Sequence, residues 1–279
     1  MSGPAPDWLG VARSAAEEVR QILAAAPSTV ERARETGTRG EGGDRTLEID
    51  AAAEDAVFRR LQELHRQGHR FTAISEERGR VEFGGDGVRV VIDPLDGSKN
   101  AKRGIPHHAL SIAVAEHGAT MADVVFGYVH DFGTSEEWTA RAGARALLNG
   151  VLLDRDVPER RVGDKIEMLG VESADPRWLR DAADDLAAHA HRVRALGAMA
   201  VTLCQVAAGR LDGMVTLRRC RAVDVAAAQL IVREAGGAVR FLGAPSPLDA
   251  PLDVMEPVFP LVAARREATL DELATIPLG

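Results

Sequence analysis

Aromatic side chains are scarce in this chain: one tyrosine, three tryptophans and seven phenylalanines among 279 residues, 4% in all. A core with so few rings is filled by Ala, Val and Leu, in keeping with a hydrophobic content of 46% and an ordinary globular composition. Cysteine is nearly missing too. Cys204 and Cys220 form no C-x-x-C pair and supply no disulfide framework, which fits a reducing compartment. No run approaches the ~18 apolar residues of a membrane span. The start, MSGPAPDWLG, has no basic stretch followed by an apolar one, so the expectation is a soluble, cytoplasmic protein with no membrane partner. Positive charge is in deficit: 34 Lys and Arg against 42 Asp and Glu leave a net charge of −8. That balance argues against nucleic acid as a partner, and an anionic substrate then needs a local positive feature.

The length suits one large or two modest domains. Asp7 as a cap, apolar residues at helical spacing and Pro27 predict a first helix. ETGTRGEGGDRT reads as a mobile loop, and LEIDAAAEDAVFRRLQELHRQG as a second helix ending at Gly68. FTAIS and VRVVID read as strands, each ending in carboxylates, followed by strands at HALSIAVAEHG and DVVFGYVHD and a hairpin over EEWTARAGARALLNGVLL. After a surface connection at RDVPERRVGDK, three helices are predicted: ADPRWLRDAADDLAAHAHR, AVTLCQVAAG and AVDVAAAQLIVREAGG, the last ended by a glycine pair. The division is an N-terminal α+β domain over 1–150 and a C-terminal α/β domain over 151–279.

The stretch VIDPLDGSKNAKRGIP places Asp93 and Asp96 three apart across a proline. As a plain turn, Pro in the second position and Gly at the end are ordinary chemistry. As the start of a helix, Asp-Gly-Ser offers free N–H groups to a phosphate. Two aspartates this close repel unless a cation sits between them, and a hard divalent ion such as Mg2+ is the usual solution. No zinc motif competes. Glu76 and Glu77 after FTAIS, and Asp224 at the start of a helix, are further carboxylates able to converge there, although Asp224 alone is equally well a favourable charge at a helix N-terminus. Only three lysines occur in the chain, and two of them, Lys99 and Lys102, lie in this stretch.

These residues together resemble the inositol monophosphatase-like superfamily of metal-dependent, lithium-sensitive phosphatases. VIDPLDGS is similar to its D-P-x-D-G-T/S signature, AVDVAAAQLIVREAGG to W-D-x-A-A-G…E-A-G-G, ISEE to G-E-E, and LEIDAAAED to T-x-x-D-x-x-x-E; the likeness runs from about residue 7 to 243. It implies a five-layer αβαβα sandwich of α+β class, a homodimer, and two or three Mg2+ ions. By position it implies that Glu76, Asp93 and the Leu95 carbonyl hold one metal, and Asp93, Asp96 and Asp224 a second. It further implies that Ser98 and Asp50, with Glu76, ready the attacking water. Asp96, Gly97, Ser98, Gly197 and Ala198 then fall to phosphate or substrate.

Departures bear on the substrate. Ala101 stands where many members carry an aromatic, Val223 where they carry Trp, and Leu217 where inositol phosphatases often carry a hydroxyl-binding Glu. LRRCRAVD looks more like the segment of archaeal-type members that also hydrolyse fructose 1,6-bisphosphate, which makes Arg218, Arg219 and Arg221 candidate substrate contacts. The expectation is a Mg2+-dependent phosphomonoesterase for a small sugar or polyol phosphate. The alternatives are a nucleotide 3′(2′),5′-bisphosphate or histidinol-phosphate phosphatase, or a non-catalytic regulatory relative.

Overall fold

The computed structural model describes residues 5–39 and 45–277. Asp7 accepts a 3.0 Å hydrogen bond from the Gly10 N–H and so starts α1 (Trp8–Ala25), which buries Trp8, Ala12, Ala15, Ala16, Val19 and Leu23 along one face. A single turn, α2 (Thr29–Arg32), leads into an antiparallel pair, β1 (Glu35–Arg39) and β2 (Arg45–Leu47). The stretch ETGTRGEGGDRT, expected to be a mobile loop, is instead strand over 35–39 and 45–46, ordered by antiparallel pairing that brings Glu35 opposite Leu47. The rest of that stretch, 40–44, and the chain start, 1–4, lie outside the described residues. The second long helix, α3 (Glu48–Arg66), lays Ala53, Val57, Phe58, Leu61 and Leu64 toward α1 and the first sheet.

That sheet has seven strands: β3 (Phe71–Ser75), β4 (Gly79–Asp96), then, after the short α4 (Ser98–Arg103), β5 (Ala109–Glu116), β6 (Val124–Asp131), β7 (Glu136–Arg141), β8 (Ala146–Leu148) and β9 (Val151–Leu152), neighbours in that order. VRVVID is only the second part of β4. The strand reverses over 84–87, so Ala73 of β3 is opposite Val81 on one edge and Val90 on the other. β3 is therefore an interior strand, and all five of its residues are buried.

A second sheet holds β10 (Arg161–Val162), β11 (Lys165–Glu172), β12 (Ala190–Arg194), β13 (Gly213–Thr216), β14 (Ala238–Phe241) and β15 (Leu261–Ala264) in the order β10-β11-β13-β15-β14, with β12 beside β11. Between β11 and β12 the predicted single helix is two short ones, α5 (Pro176–Asp181) and α6 (Ala183–His189), and its last residues turn into strand because they pair with β11. These helices and α9 (Glu267–Leu273) cover the outer face of the second sheet.

The inner layer is α7 (Met199–Ala207) and α8 (Ala222–Glu234), packed between the two sheets. Every residue of α8 from Ala222 to Val232 is buried, as a helix apolar all round must be. Its small side chains let its backbone lie directly on β6: a Cβ at Gly127 would stand 2.6 Å from the Ala227 carbonyl oxygen, so only glycine fits there. The layers run α1/α3, sheet, α7/α8, sheet, α5/α6/α9, the five-layer α+β sandwich that the sequence implies.

Candidate active site

Both edges of the site are strand ends. β3 stops at Ser75 and delivers Glu76 and Glu77 into a turn; β4 ends in Asp93, Pro94, Leu95 and Asp96; α4 and α8 begin beside them. Carboxylate oxygens of Glu76, Asp93 and Asp224 all lie within 4.8 Å of one another, and Asp93 and Asp224 are 1% and 5% exposed. Asp93 accepts from the Leu95 N–H at 2.9 Å. Asp96 is buried alongside, but its oxygens accept from the Met199 and Ala200 N–H groups at 3.2 and 2.7 Å, at the first turn of α7. Burial pushes the carboxyls of Asp93 and Asp96 well above their ordinary range; Glu76, Asp96 and Asp224 add to the effect on Asp93, and Asp224 to that on Asp96.

Arg221 lies among these acids. Its Nη1 donates to Glu76 Oε1 at 2.5 Å, Nη2 to Asp224 Oδ1 at 2.8 Å and Nε to Asp224 Oδ2 at 3.2 Å. Burial alone would lower the guanidinium's pKa, and Asp224 and Glu76 more than reverse it. Glu76 is still raised, by burial first, with Arg221 opposing.

Asp50, on the first turn of α3, faces a small cavity shared with Glu76, Glu77, Asp93, Pro94, Leu95 and Ser98. Its Oδ2 accepts from the Leu47 N–H at 3.3 Å, while Oδ1 is buried with no protein partner. Burial, then Glu77 and Glu76, raise its carboxyl to about 7. One turn on, Glu54 accepts from the Ser75 hydroxyl and, at 3.2 Å, from the Arg78 N–H, and burial raises it to about 7 as well. Glu54 thereby ties α3 to the end of β3.

Gly97 adopts φ 81°, and a Cβ there would meet the His107 carbonyl at 2.8 Å and the Ala198 Cβ at 2.9 Å. The structure thus brings Gly97, Gly197 and Ala198 together. The Gly197 N–H, however, donates to Glu172 at 3.1 Å. Ser98 opens α4 and makes no capping bond, Gly97 being the cap. Beyond them a cleft of about 600 Å3 is lined by Lys99, Glu172, Ser173, Asp175, Trp178 and Arg221, among others. Of the remaining arginines, Arg218 lies 4.7 Å from the Trp178 ring centroid and Arg219 is exposed.

Two residues escaped the sequence reading. Glu172, buried at the end of β11, accepts from the Leu196 and Gly197 N–H groups and, at 2.6 Å, from the Thr202 hydroxyl. Asn100 Nδ2 donates to the His107 and Leu196 carbonyls at 2.8 and 2.7 Å, bridging α4 to the loop before α7. Glu172 closes β11 as Glu76 and Glu77 follow β3, a signal that shows only once KIEMLGVE is known to be a strand.

The donor set fits a hard divalent cation: three carboxylates from separate elements converge, with oxygen donors only and an unpartnered buried carboxylate oxygen nearby. The sequence profile of the inositol monophosphatase family matches residues 7–274. The fructose-1,6-bisphosphatase/inositol-1-monophosphatase of Methanothermobacter thermautotrophicus is 36% identical over 242 residues, 83% of each chain. The Nus factor SuhB of Escherichia coli K12 is 34% identical over 234 residues, 83% of this chain and 84% of that one. A crystal structure of an inositol monophosphatase-fructose 1,6-bisphosphatase matches with a TM-score of 0.79 at 25% identity, covering 97% of this chain and 100% of that one. Fold and relatives together define a phosphoric monoester hydrolase. The chain belongs to the inositol monophosphatase family.

Proposed function

We propose that the protein is a Mg2+-dependent phosphomonoesterase acting on a small sugar or polyol phosphate, with fructose 1,6-bisphosphate and inositol phosphate as leading substrates. The observation that carries this reading is the convergence of Glu76, Asp93 and Asp224 beside the unpartnered oxygen of Asp50. In this reading Glu76, Asp93, the Leu95 carbonyl, Asp96 and Asp224 hold the ions. Bound Mg2+ would neutralise phosphate oxygens and bring the pKa of water toward neutrality. Asp50, whose Oδ1 is buried with no protein partner on the same cavity, accepts a proton from the attacking water. Ser98, on the same cavity, orients that water. The backbone at Gly97 and Ser98 holds the phosphate, and the cleft walled by Trp178 and Lys99 receives the rest of the substrate.

The test is hydrolysis of a phosphate-ester panel with Mg2+ and with EDTA; turnover that survives thorough chelation would sink the reading. A homodimer in a cytoplasmic setting belongs to the same proposal. Val151 and Leu152, exposed at 70% and 51%, are in keeping with a contact between two copies. Among the described residues no helix is long and apolar enough to cross a membrane. The likeness to the Nus factor SuhB favours a second reading, a regulatory relative. Mg2+ binding without cleavage of any ester in the panel would select it.

A further inference from the structure

Arg221 donates three hydrogen bonds to two of the three converging carboxylates. The fork closes on Asp224 through Nε and Nη2, while Nη1 reaches Glu76 on the far element, β3's exit turn. A planar guanidinium suits this bridging and a lysine ammonium does not. The pairing is partly shielded from water: the side chains of Arg221 and Glu76 are each 18% exposed and that of Asp224 7%.

A carboxylate oxygen held in line by a charge-assisted N–H cannot offer the same lone pair to a metal, and a guanidinium in that position repels a second cation. Arg221 pairing and metal ligation at Glu76 and Asp224 therefore compete. Asp93 takes no hydrogen bond from the arginine; it accepts from the Leu95 N–H. An arriving ion thus finds Asp93 open to it, both oxygens of Asp224 held and one oxygen of Glu76 held. Arg221 also lines the 600 Å3 cleft that holds Lys99 and Trp178, so the displaced side chain has space on the substrate side.

We infer that Arg221 is a positioning residue that competes with the divalent ion. It keeps Glu76 and Asp224 gathered while no ion is bound, yields them when one binds, and then turns its guanidinium to an anion in the cleft. The inference rests on the metal-dependent phosphatase reading. It makes metal and phosphate mutually reinforcing, because the released arginine gains a new partner only when phosphate is present. By linkage the reinforcement is equal in both directions.

The test is calorimetric titration of Mg2+ into the full chain and into Arg221→Gln, each with and without inorganic phosphate. Gln keeps much of the length and loses the charge. Arg221→Gln is expected to bind Mg2+ about tenfold to a hundredfold more tightly than wild type, the scale of the charge-assisted bonds removed. Phosphate is expected to tighten Mg2+ binding in wild type and to do so less in the variant. A merely structural arginine would not produce a gain in affinity. Arg221→Lys, which keeps the charge without the fork, is expected to fall between. Unchanged or weaker Mg2+ binding by a folded Arg221→Gln overturns the inference alone; no Mg2+ binding by wild type overturns the underlying reading with it. Should Arg221→Gln fail to fold, the wild-type 15N resonance of Arg221 Nε, assigned by its loss in Arg221→Lys, decides. A shift on adding Mg2+ supports displacement, and an unmoved resonance at saturating Mg2+ overturns it.

Discussion

The carboxylate of Asp96, which closes β4 in the first sheet, accepts a 2.7 Å hydrogen bond from the backbone N–H of Ala200, 104 residues further along the chain. A buried acid is thereby seated on the positive end of α7, a favourable place for negative charge. The bond fixes one side of the site against the helix layer that separates the two sheets.

Asp93→Asn and Asp224→Asn should each lower kcat by orders of magnitude, since a charged ligand is lost while shape is kept. Asp93→Asn should also raise the melting temperature of the chelated protein. Burial, and then Glu76, Asp96 and Asp224, disfavour the ionised Asp93 in the folded state, and asparagine escapes that cost. About 1 kcal/mol of relief is about 2–4 °C in a chain of this size. Differential scanning fluorimetry in EDTA checks it; a fall in melting temperature would contradict the crowding argument.

Ser98→Ala should reduce kcat with little change in KM and leave the melting temperature within about 1 °C. The cap of α4 is Gly97 and the serine hydroxyl makes no capping bond, so the ~0.5–2 kcal/mol that a lost cap costs does not apply. Steady-state kinetics and a thermal melt on the same preparation separate the roles: a large stability loss with unaltered turnover would remove Ser98 from the chemistry.

Glu54→Gln should flatten the dependence of stability on pH. The folded carboxyl is raised to about 7 from an ordinary 4.5, so the folded state binds more protons than the unfolded state between those values. Stability therefore falls as pH rises from about 4.5 to 7, by about 3 kcal/mol for a shift of this size, and levels off above. Asp50, raised for the same reason, adds in the same direction and remains in the variant. Urea unfolding at pH 5 and pH 8 in EDTA should show a smaller difference for Glu54→Gln than for wild type. Equal differences would mean that the Glu54 carboxyl titrates alike in the folded and unfolded states.

Gly97→Ala should be destabilised by about 2 kcal/mol or more and lose activity together. The new Cβ would press on the His107 carbonyl and Ala198 at a backbone φ of 81° that favours glycine. A stable, fully active Gly97→Ala would mean that the α4 loop moves freely away from α7.

Arg218→Ala, but not Arg219→Ala, should lower kcat/KM about tenfold to a hundredfold on fructose 1,6-bisphosphate while sparing inositol 1-phosphate. Arg218 is held against Trp178, which lines the cleft, whereas Arg219 is exposed. Equal losses on both substrates would assign Arg218 to packing instead of to a second phosphate.

The metal-type acids were legible because they sit in short local patterns: two aspartates across a proline, acids closing FTAIS, one acid opening a helix. Much of the first sheet was legible for a similar reason, β3, the second part of β4, β5 and β6 being apolar runs rich in β-branched residues. Strand β11 was not, because KIEMLGVE mixes charge and apolar residues without clean alternation and is ordered by parallel pairing with β12 and β13. The partner of Arg221 was out of reach of local reading: Glu76 lies 145 residues away, and only the packing of α8 on the first sheet brings them together. Glu172 was missed likewise, since its bonds to Gly197 and Thr202 span 25 and 30 residues.

Glu76, Asp93 and Asp224 come from two strand ends and a helix that is buried between sheets, so no fragment of the chain carries the complete set. An ion that needs all three binds the folded state and ignores the unfolded one. By mass action, free cation at a hundred times its dissociation constant adds about 2.7 kcal/mol to folding. The cation concentration around the protein then becomes a control on how much of it is folded, and a mutation far from the site that loosens α8 would first be felt as a need for more metal.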